Sequence, residues 1–372
     1  MVPGPDRTHP DGRGAELNAE TGRDFAGLVE LHRAELHAHC YRMLGSVQDA
    51  EDALQETLVR AWRGAAGLRE TASARSWLYR IATNVCLTEI ERRRTRVLPH
   101  DFGPAAEATA PPGTPVAESI WLDPYPDASV GLPDGKASPE ARYEQQEGIE
   151  LAFVAALQYL SANQRAVLIL RDVLGFSAQE TAGMLSTSVA SVTSALQRAR
   201  ATVAERVPAR TQQQTLRALG DRSLRELVDR YVEAWERCDV NAFAALLVED
   251  ATFAMPPLAT WYTPRASIVS WAREYSLSGA WRWKTVLTQA NGQPALAFYA
   301  WDEPAGGYLP FALNVLTLRQ GLVRDVTAFI VRATEATDAD AYVRFPEQPL
   351  DAVRHGTSFA RFGLPEILTK DA

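Results

Sequence analysis

The chain has 372 residues, of which 46% are hydrophobic and 23% charged, and its formal net charge is −8. This length is typical of two or three domains, and the acidic balance argues against a protein that coats nucleic acid indiscriminately. Three widely spaced cysteines do not make a disulfide framework, so we expect a reducing, cytoplasmic setting. No apolar run approaches the length of a membrane span, and the first residues lack the apolar core of a signal peptide.

Residues 1–21 are predicted to be a disordered tail, and residues 22–97 an all-helical domain, because apolar side chains there recur at intervals of three and four. Within this domain, the segment 49–63 places polar side chains on one helical face, opposite Leu54 and Leu58. Taken alone, such a face is most simply a solvated helix surface. Its polar residues are Asp49, Asp52, Gln55 and Glu56.

A second helix of this domain, within residues 76–96, carries a run of arginines at its end. Guanidinium groups match the geometry of phosphate oxygens, and asparagine and aromatic side chains suit the edges and faces of unpaired bases. The segment is therefore a candidate for binding single-stranded nucleic acid, with a solvated helix end as the alternative. Its candidate residues are Trp77, Arg80, Asn84, Arg92, Arg93 and Arg94.

Residues 98–138 are rich in proline, glycine and alanine and are predicted to be a linker. The sequence WLDPYPD at 121–127 is unusual there, because large aromatic side chains need a surface to bury against. We expect Trp121, Leu122 and Tyr125 to contact another domain. The C-terminal domain is the favoured surface, since a covalent tether gives it a high effective concentration.

Residues 139–207 return to helical periodicity and end in a predicted helix-turn-helix. Ser177 and Glu180 have the spacing of a capping box, and Ser188 is a natural N-cap for the second helix. Small polar side chains at the start of that helix are typical of a major-groove reader, and the alternative is a plain helical hairpin. The candidate DNA-contacting residues are Ser188, Ser191, Thr193, Ser194, Gln197 and Arg198.

The last third of the chain changes in character. After a second linker at 208–221, residues 222–335 are predicted to form an α+β cone, with one long helix at 223–248 and then a curved antiparallel sheet. Asn-Gly at 291 and Gln-Gly at 320 indicate turns within the sheet. The tail, 336–372, is expected to pack on other domains because it contains several large apolar side chains. These are Phe345, Phe359, Phe362 and Leu364.

No enzyme activity, metal or cofactor is predicted. Catalysis in a cone would need a desolvated carboxylate beside an oxyanion donor, and Asp250, Asp302 and Asp325 are candidate carboxylates with no evident partner. His37 and His39 lie in a predicted helix that points them apart, which favours structural histidines over a metal site.

Together these motifs resemble a bacterial sigma factor of the extracytoplasmic-function (ECF) type. The resemblance covers roughly residues 24–207, and its motifs occur in the family's order: DAEDALQETLVRAWR, then SWLYRIATNVCLTEIERRR, then LSANQRAVLILRDVLGFSAQETAGMLSTSVASVTSALQRAR. It implies that the acidic face docks on core RNA polymerase, that the helix with Asn84 melts and reads the minus-ten promoter element, and that the helix-turn-helix reads the minus-thirty-five element. The family has basic residues in the recognition helix where this chain has Thr193 and Ala195, which implies weaker DNA binding by this module.

Residues 222–335 resemble a SnoaL-like domain of the ketosteroid-isomerase type. WLDPYPD resembles a Trp-Leu-Pro motif found in the linker of sigma factors with this extension, with contact to RNA polymerase as the alternative role. The expected architecture is therefore multidomain: two all-α domains and a C-terminal α+β cone that regulates them and is a candidate for binding a small-molecule ligand. Two other functions stay open at this point, a helix-turn-helix regulator with a sensing domain and a SnoaL-like enzyme fused to a DNA-binding module.

Overall fold

The N-terminal unit consists of three long helices packed against one another. The computed structural model describes residues 12–65, 74–113, 116, 120–129, 146–332 and 349–370, with side chains from residue 25 onward. Ser46 begins the second helix, because its hydroxyl accepts a hydrogen bond from the Asp49 backbone N–H at 3.3 Å. The helices are α1 (Gly12–Leu44), α2 (Val47–Gly64) and α3 (Ala74–Arg92), followed by the single turn α4 (Pro99–Phe102).

The predicted disordered tail is wrong for residues 12–21, because α1 already begins at Gly12. The segment contains Ala15, Leu17 and Ala19, which have high helix propensity, and it extends a helix whose later turns are anchored by burial. The prediction for residues 1–11 falls outside the described residues.

The central unit is a set of short helices with strong N-terminal caps. Ser161 and Gln164 form one capping box, and Ser177 and Glu180 form the predicted second one. Ser188 caps the following helix, as its position in the sequence indicated. The elements are α5 (Leu151–Leu157), α6 (Ala162–Leu168), a π-helical turn (Ile169–Val173), α7 (Ala178–Met184) and α8 (Val189–Ala204).

The C-terminal unit is a six-stranded sheet with helices on one face. Its strand order is β2-β1-β6-β5-β4-β3, and β1 pairs with β6 in parallel, so the prediction of a wholly antiparallel sheet is wrong for that pair. The predicted turns at Asn291 and Gln320 are confirmed, since in each turn both residues have positive φ. The strands are β1 (Leu247–Ala254), β2 (Trp261–Tyr262), β3 (Trp283–Ala290), β4 (Gln293–Asp302), β5 (Gly307–Arg319) and β6 (Leu322–Ile330).

The predicted long helix 223–248 is two helices. Cys238 takes a φ of 51°, and Asp239 then caps a new helix by accepting bonds from Asn241 and Ala242 N–H. Hydrophobic periodicity continues across this break, because both helices cover the same apolar sheet face, so the pattern alone does not reveal it. The helices of this unit are α10 (Asp221–Glu236), α11 (Val240–Ala245) and α12 (Arg265–Glu274).

The predicted linker 208–221 contains a further helix, α9 (Gln212–Leu219). Its Gln212 side chain bonds both the backbone N–H and the C=O of Leu318 on β5, at 2.8 and 3.0 Å. The segment predicted as a linker is thus helical over these residues. Thr211 provides the N-cap, and the buried glutamine side chains bond to main-chain groups where water would otherwise bind.

The sheet is buried on both faces. Alternate side chains such as Phe298 and Leu316 pack under α10–α12 in one apolar cluster. The opposite set, including Tyr299 and Val315, belongs to a second cluster that also contains the cores of both helical units. The outer face of the cone is thus part of the same apolar core as the helical units.

The first linker and the tail also lie against the cone. Residues 103–113 lie alongside strand β2, and the Ala106 N–H donates a hydrogen bond to the Trp261 carbonyl at 2.8 Å. In the tail, α13 (Ala352–Ser358) precedes the fully buried Phe359, and Leu368 forms a bridge with Tyr308 of β5. Phe345 falls outside the described residues.

Candidate nucleic-acid interface and interdomain junction

The acidic face of α2 retains three of its four predicted residues at the surface. Asp52, Gln55 and Glu56 are exposed, and Glu56 pairs with Arg60 one helical turn away at 2.7 Å. On the same exposed side, Val59 and Trp62 leave 44% and 55% of their surfaces open to solvent. Exposed aromatic and aliphatic side chains beside charged residues are typical of a protein-binding surface.

Asp49 was predicted to lie on this surface, but in this structure it is buried away from it. The residue is 7% exposed, and its carboxylate forms ion pairs with Arg93 and with Arg96, the latter at 2.6 Å. Asp49 follows the N-cap and faces the end of α3, so its carboxylate holds the two arginines there. Helical spacing placed it beside Asp52 without revealing that the chain after α3 covers it.

Helix α3 exposes most of its predicted reading residues. Arg80 and Asn84 lie one helical turn apart on the exposed side, and Trp77 is half-buried. At the helix end, Arg92 lies 3.6 Å from Glu89, while Arg93 also pairs with Glu89 at 3.1 Å. Arg93 is thus engaged by two carboxylates in this conformation; Arg92 and Arg94 are exposed.

The recognition-helix candidates lie together at the start of α8. Ser188 accepts a bond from Ser191 N–H at 3.1 Å, and Thr193 donates to the Val189 carbonyl. Gln197 and Arg198 continue the same exposed side, and Ser194 is also exposed. Val192 and Leu196 face inward, so the polar stripe is presented to solvent.

The two helical units pack directly on each other. The buried Arg165 guanidinium of α6 donates to the Met43 carbonyl at the end of α1, and burial lowers its pKa to about 10. Arg42 donates to the Gly148 carbonyl at 2.9 Å. Arg75 of α3 lies over the Phe176 ring, 4.6 Å from its centre, immediately before α7.

The aromatic segment WLDPYPD lies where the N-terminal unit, the central unit and the cone meet. Trp121, Leu122 and Tyr125 are 7%, 1% and 0% exposed. Tyr125 packs against Tyr41 of α1 with ring centres 4.4 Å apart, and its hydroxyl is 2.7 Å from His37 Nδ1. A large aromatic with a satisfied hydroxyl contributes strongly to such a contact.

Asn291, in the turn between β3 and β4, bonds to three segments at once. Its Oδ1 accepts from Tyr125 N–H at 2.9 Å, and its own N–H donates to the Tyr125 carbonyl at 2.8 Å. Its Nδ2 donates to the Tyr41 hydroxyl at 3.0 Å and to the Ile149 carbonyl, ahead of α5, at 2.8 Å. We call these contacts the Asn291 junction. The Asn-Gly pair predicts the turn but not this role, because it is the ordinary residue pair of such turns.

Two buried carboxylates lie around the same turn. Asp127 accepts from Gly292 N–H at 2.7 Å, and burial raises its pKa to about 6. Glu150 accepts from Gln213 N–H of α9 at 2.9 Å, and burial raises its pKa to about 7. These acids tie the linker and the central unit to the cone.

The interior of the cone offers little room for a ligand. Its cavity measures about 20 Å³, space for about one water, and none of the described residues around it is acidic. Asp250 pairs with Arg319 at the surface, Asp302 accepts a bond from Ala305 N–H, and Asp325 bonds Thr252. Burial raises the pKa of Asp325, but its carboxylate does not line the cavity.

In the described part of the chain, no cluster of His, Cys, Asp and Glu side chains has the arrangement of a metal site. His37 and His39 contact Tyr125 and Thr83, respectively. Likewise, no described helix combines the length and apolar character needed to span a membrane.

Three protein families match the chain, each on one unit. Sigma-70 region 2 matches residues 28–96, Sigma-70 region 4 matches 150–203, and the SnoaL-like domain matches 228–326. The solved structure of the extracytoplasmic function sigma factor SigJ of Mycobacterium tuberculosis shares the fold, with a TM-score of 0.52 at 21% identity over 83% of this chain and 95% of SigJ.

Curated relatives agree with these matches. The ECF RNA polymerase sigma factor SigM of Mycobacterium tuberculosis is 32% identical over 180 residues, covering 48% of this chain and 75% of SigM. The ECF RNA polymerase sigma factor SigG of the same species is 41% identical over 324 residues, covering 85% of this chain and 84% of SigG. The predicted fold class and function are confirmed: the chain belongs to the ECF RNA polymerase sigma factors and is an alternative sigma factor with a C-terminal SnoaL-like domain.

Proposed function

We propose that the SnoaL-like domain holds the two promoter-reading units of this sigma factor in a closed arrangement, and that transcription initiation requires their release. In the open arrangement, Asp52, Gln55 and Glu56 of α2 dock on core RNA polymerase. The exposed residues of α3 then read the minus-ten element, and the polar start of α8 reads the minus-thirty-five element. Regulation by the cone requires no catalysis.

The separation of the two promoter elements supports this proposal. Elements about 25 base pairs apart are separated by ~85 Å, at 3.4 Å per base pair. Helix α7 contacts both α3 and α8. These helices, α3, α7 and α8, have 19, 7 and 16 residues. Even if neighbouring helices touched only at their far ends, Asn84 of α3 and Ser191 of α8 would lie within ~70 Å of each other. The closed chain is therefore too short to reach both elements.

The Asn291 junction is the observation that carries the proposal. One side chain of the cone bonds α1 through Tyr41, the linker through Tyr125 and the central unit through Ile149. All of these groups are buried, so losing the side chain leaves several polar atoms without partners. The SnoaL-like domain thereby favours the state in which all three units touch.

Run-off transcription with core RNA polymerase and the full-length variant Asn291→Gly tests the proposal. Glycine accepts the positive φ of this turn and removes only the side chain. The matched control is Gln320→Gly, because Gln320 occupies the equivalent position of the β5–β6 turn and is exposed. We expect Asn291→Gly to raise the transcript yield at least several-fold and Gln320→Gly to leave it unchanged. Equal yields from the wild type and both variants would refute regulation through this contact.

A further inference from the structure

A cleft of about 300 Å³ lies between the N-terminal unit, the linker, the cone and the tail. It is separate from the small cavity inside the cone. Each of the four segments supplies part of its wall, with Arg96 from the end of the N-terminal unit, Trp121 from the linker, Phe329 from β6 and Arg354 from α13. The volume is at the lower end of the range for small-molecule sites and equals that of about ten water molecules.

Two hydrogen-bond donors in this wall are under-used. The indole Nε1 of Trp121 is buried and has no acceptor among the described residues, although the residue is only 7% exposed. Within the described residues, the Arg354 guanidinium makes one hydrogen bond, to the Arg332 carbonyl at 3.3 Å, and a loose ion pair with Asp351 at 3.6 Å. A guanidinium has five N–H donors, so Arg354 retains capacity for an acceptor.

The acidic groups of the wall are already engaged. Asp49 is held by Arg93 and Arg96. Asp123 accepts from Val47 N–H at 2.9 Å, and burial raises the pKa of this carboxyl group, which disfavours its charge. Asp351 accepts from the Arg354 backbone N–H at 2.9 Å. The unused hydrogen-bonding capacity of the cleft therefore belongs to donors and not to acceptors.

The remaining wall is apolar. Leu122, Phe329 and Ile330 line it together with Pro256 and Pro257. A small site with a few polar groups in an apolar wall binds molecules that have a polar head and an apolar body. A carboxylate is the head that matches a guanidinium, because its two oxygens accept the parallel N–H donors.

We propose that this cleft binds a small apolar monocarboxylate, with its carboxylate on Arg354 and the Trp121 indole N–H, and its apolar body against Phe329 and the prolines. Binding itself is independent of the function proposed above. Its effect on transcription rests on that function. Because the wall comes from four segments, the ligand binds only the closed arrangement. A tenfold excess of ligand over its Kd then shifts the closed-to-open ratio about elevenfold toward closed.

Isothermal titration calorimetry on the full chain with phenylacetate, benzoate and octanoate tests the binding. Phenylacetamide and phenethylamine serve as neutral and cationic controls of similar shape. We expect at least one carboxylate to bind saturably with one site, and both controls to bind at least tenfold more weakly. Saturable binding by none of the three acids would overturn the proposal, as would tighter binding of the amine.

Variants locate the site. Arg354→Gln should weaken carboxylate binding at least tenfold, while Arg361→Gln, a change in the same tail outside the cleft, should leave it unaltered. Trp121→Phe keeps an aromatic ring but removes the N–H, and should weaken binding about tenfold, the value of one charge-assisted hydrogen bond. It also serves as the test if circular dichroism shows Arg354→Gln to be unfolded. Wild-type affinity in a folded Arg354→Gln variant, or in Trp121→Phe, would refute the site.

Run-off transcription separates the two proposals. With the bound acid, we expect less transcript from the wild type and a smaller decrease from Asn291→Gly, which favours the open state. Calorimetric binding without any change in transcript would leave the site standing and contradict the regulatory proposal instead.

Discussion

Asp49 and Asp52 are three residues apart on α2 and have opposite surroundings. Asp49 is buried against Arg93 and Arg96, whereas Asp52 is exposed. Removing one partner of a buried ion pair leaves an uncompensated charge, which costs about 3–5 kcal/mol. We therefore expect Asp49→Asn to lower the free energy of unfolding by about 3 kcal/mol, and Asp52→Asn to change it by less than about 0.5 kcal/mol. Urea denaturation of both variants measures the difference, and similar midpoints would contradict it.

Core-polymerase binding should show the reverse pattern. The double variant Asp52→Arg, Glu56→Arg reverses the charge of the proposed docking face, so it should abolish co-purification with core enzyme while the fold stays intact. A matched control is Glu226→Arg, Glu233→Arg on α10, because these exposed acids also pair with arginines one turn away. Loss of binding in the control as well would mean that net charge, not this face, determines docking.

The contrast at Asp49 shows what spacing in the sequence can and cannot predict. Apolar side chains at intervals of three and four predicted the helix, and they placed Asp52, Gln55 and Glu56 on its exposed side. It could not reveal that Arg96 folds back over Asp49, because that contact joins residues 47 positions apart. Capping residues such as Ser177 and Ser188 were predictable because their partners are local.

At the scale of elements, we propose that helix α3 divides promoter recognition between its middle and its end. Asn84 is exposed in the middle, where an amide can bond a base edge, and Arg92 is exposed at the end, where a guanidinium can contact phosphate. We expect Asn84→Ala to change the preferred minus-ten sequence, and Arg92→Ala to weaken all promoters to a similar degree. A promoter-library transcription assay distinguishes the two, and matching sequence profiles would show that the division is wrong.

Helix α9 and the linker illustrate why some elements were missed. The many proline, glycine and alanine residues of 98–138 predict an irregular connection, and residues 208–221 are predicted to be a second linker. In the folded chain, Gln212 bonds the main chain of β5 and Tyr125 bonds that of Asn291. Such polar contacts with distant backbone leave no periodic pattern in the sequence. The aromatic residues of WLDPYPD were the available signal, and they predicted burial without the specific partner.

At the scale of the whole molecule, the stability of the folded chain should depend on pH. Burial raises the pKa of Glu150 to about 7. Between the ordinary pKa of a glutamate and pH 7, Glu150 is therefore protonated in the folded chain and ionised in the unfolded chain. The free energy of unfolding therefore falls as pH rises toward 7. Between pH 6.5 and 8 the wild type should lose about 1 kcal/mol more than Glu150→Gln, at 1.36 kcal/mol per pKa unit.

Urea denaturation of both proteins at the two pH values measures this difference. The comparison stays above pH 6.5 because His37, whose pKa burial lowers to about 4, has the opposite effect at lower pH. Parallel pH profiles for the wild type and Glu150→Gln would show that Glu150 does not titrate in this pH range.

The closed arrangement itself can be measured as a distance between α1 and α8. Spin labels at Glu30→Cys and Glu205→Cys occupy exposed positions outside the proposed contact surfaces, with Cys238→Ser removing the partly exposed native thiol. Double electron–electron resonance should give one short distance for the free chain and a longer one with core RNA polymerase and promoter DNA. Asn291→Gly should shift the free chain toward the longer distance. The same short distance in the promoter complex as in the free chain would contradict the account.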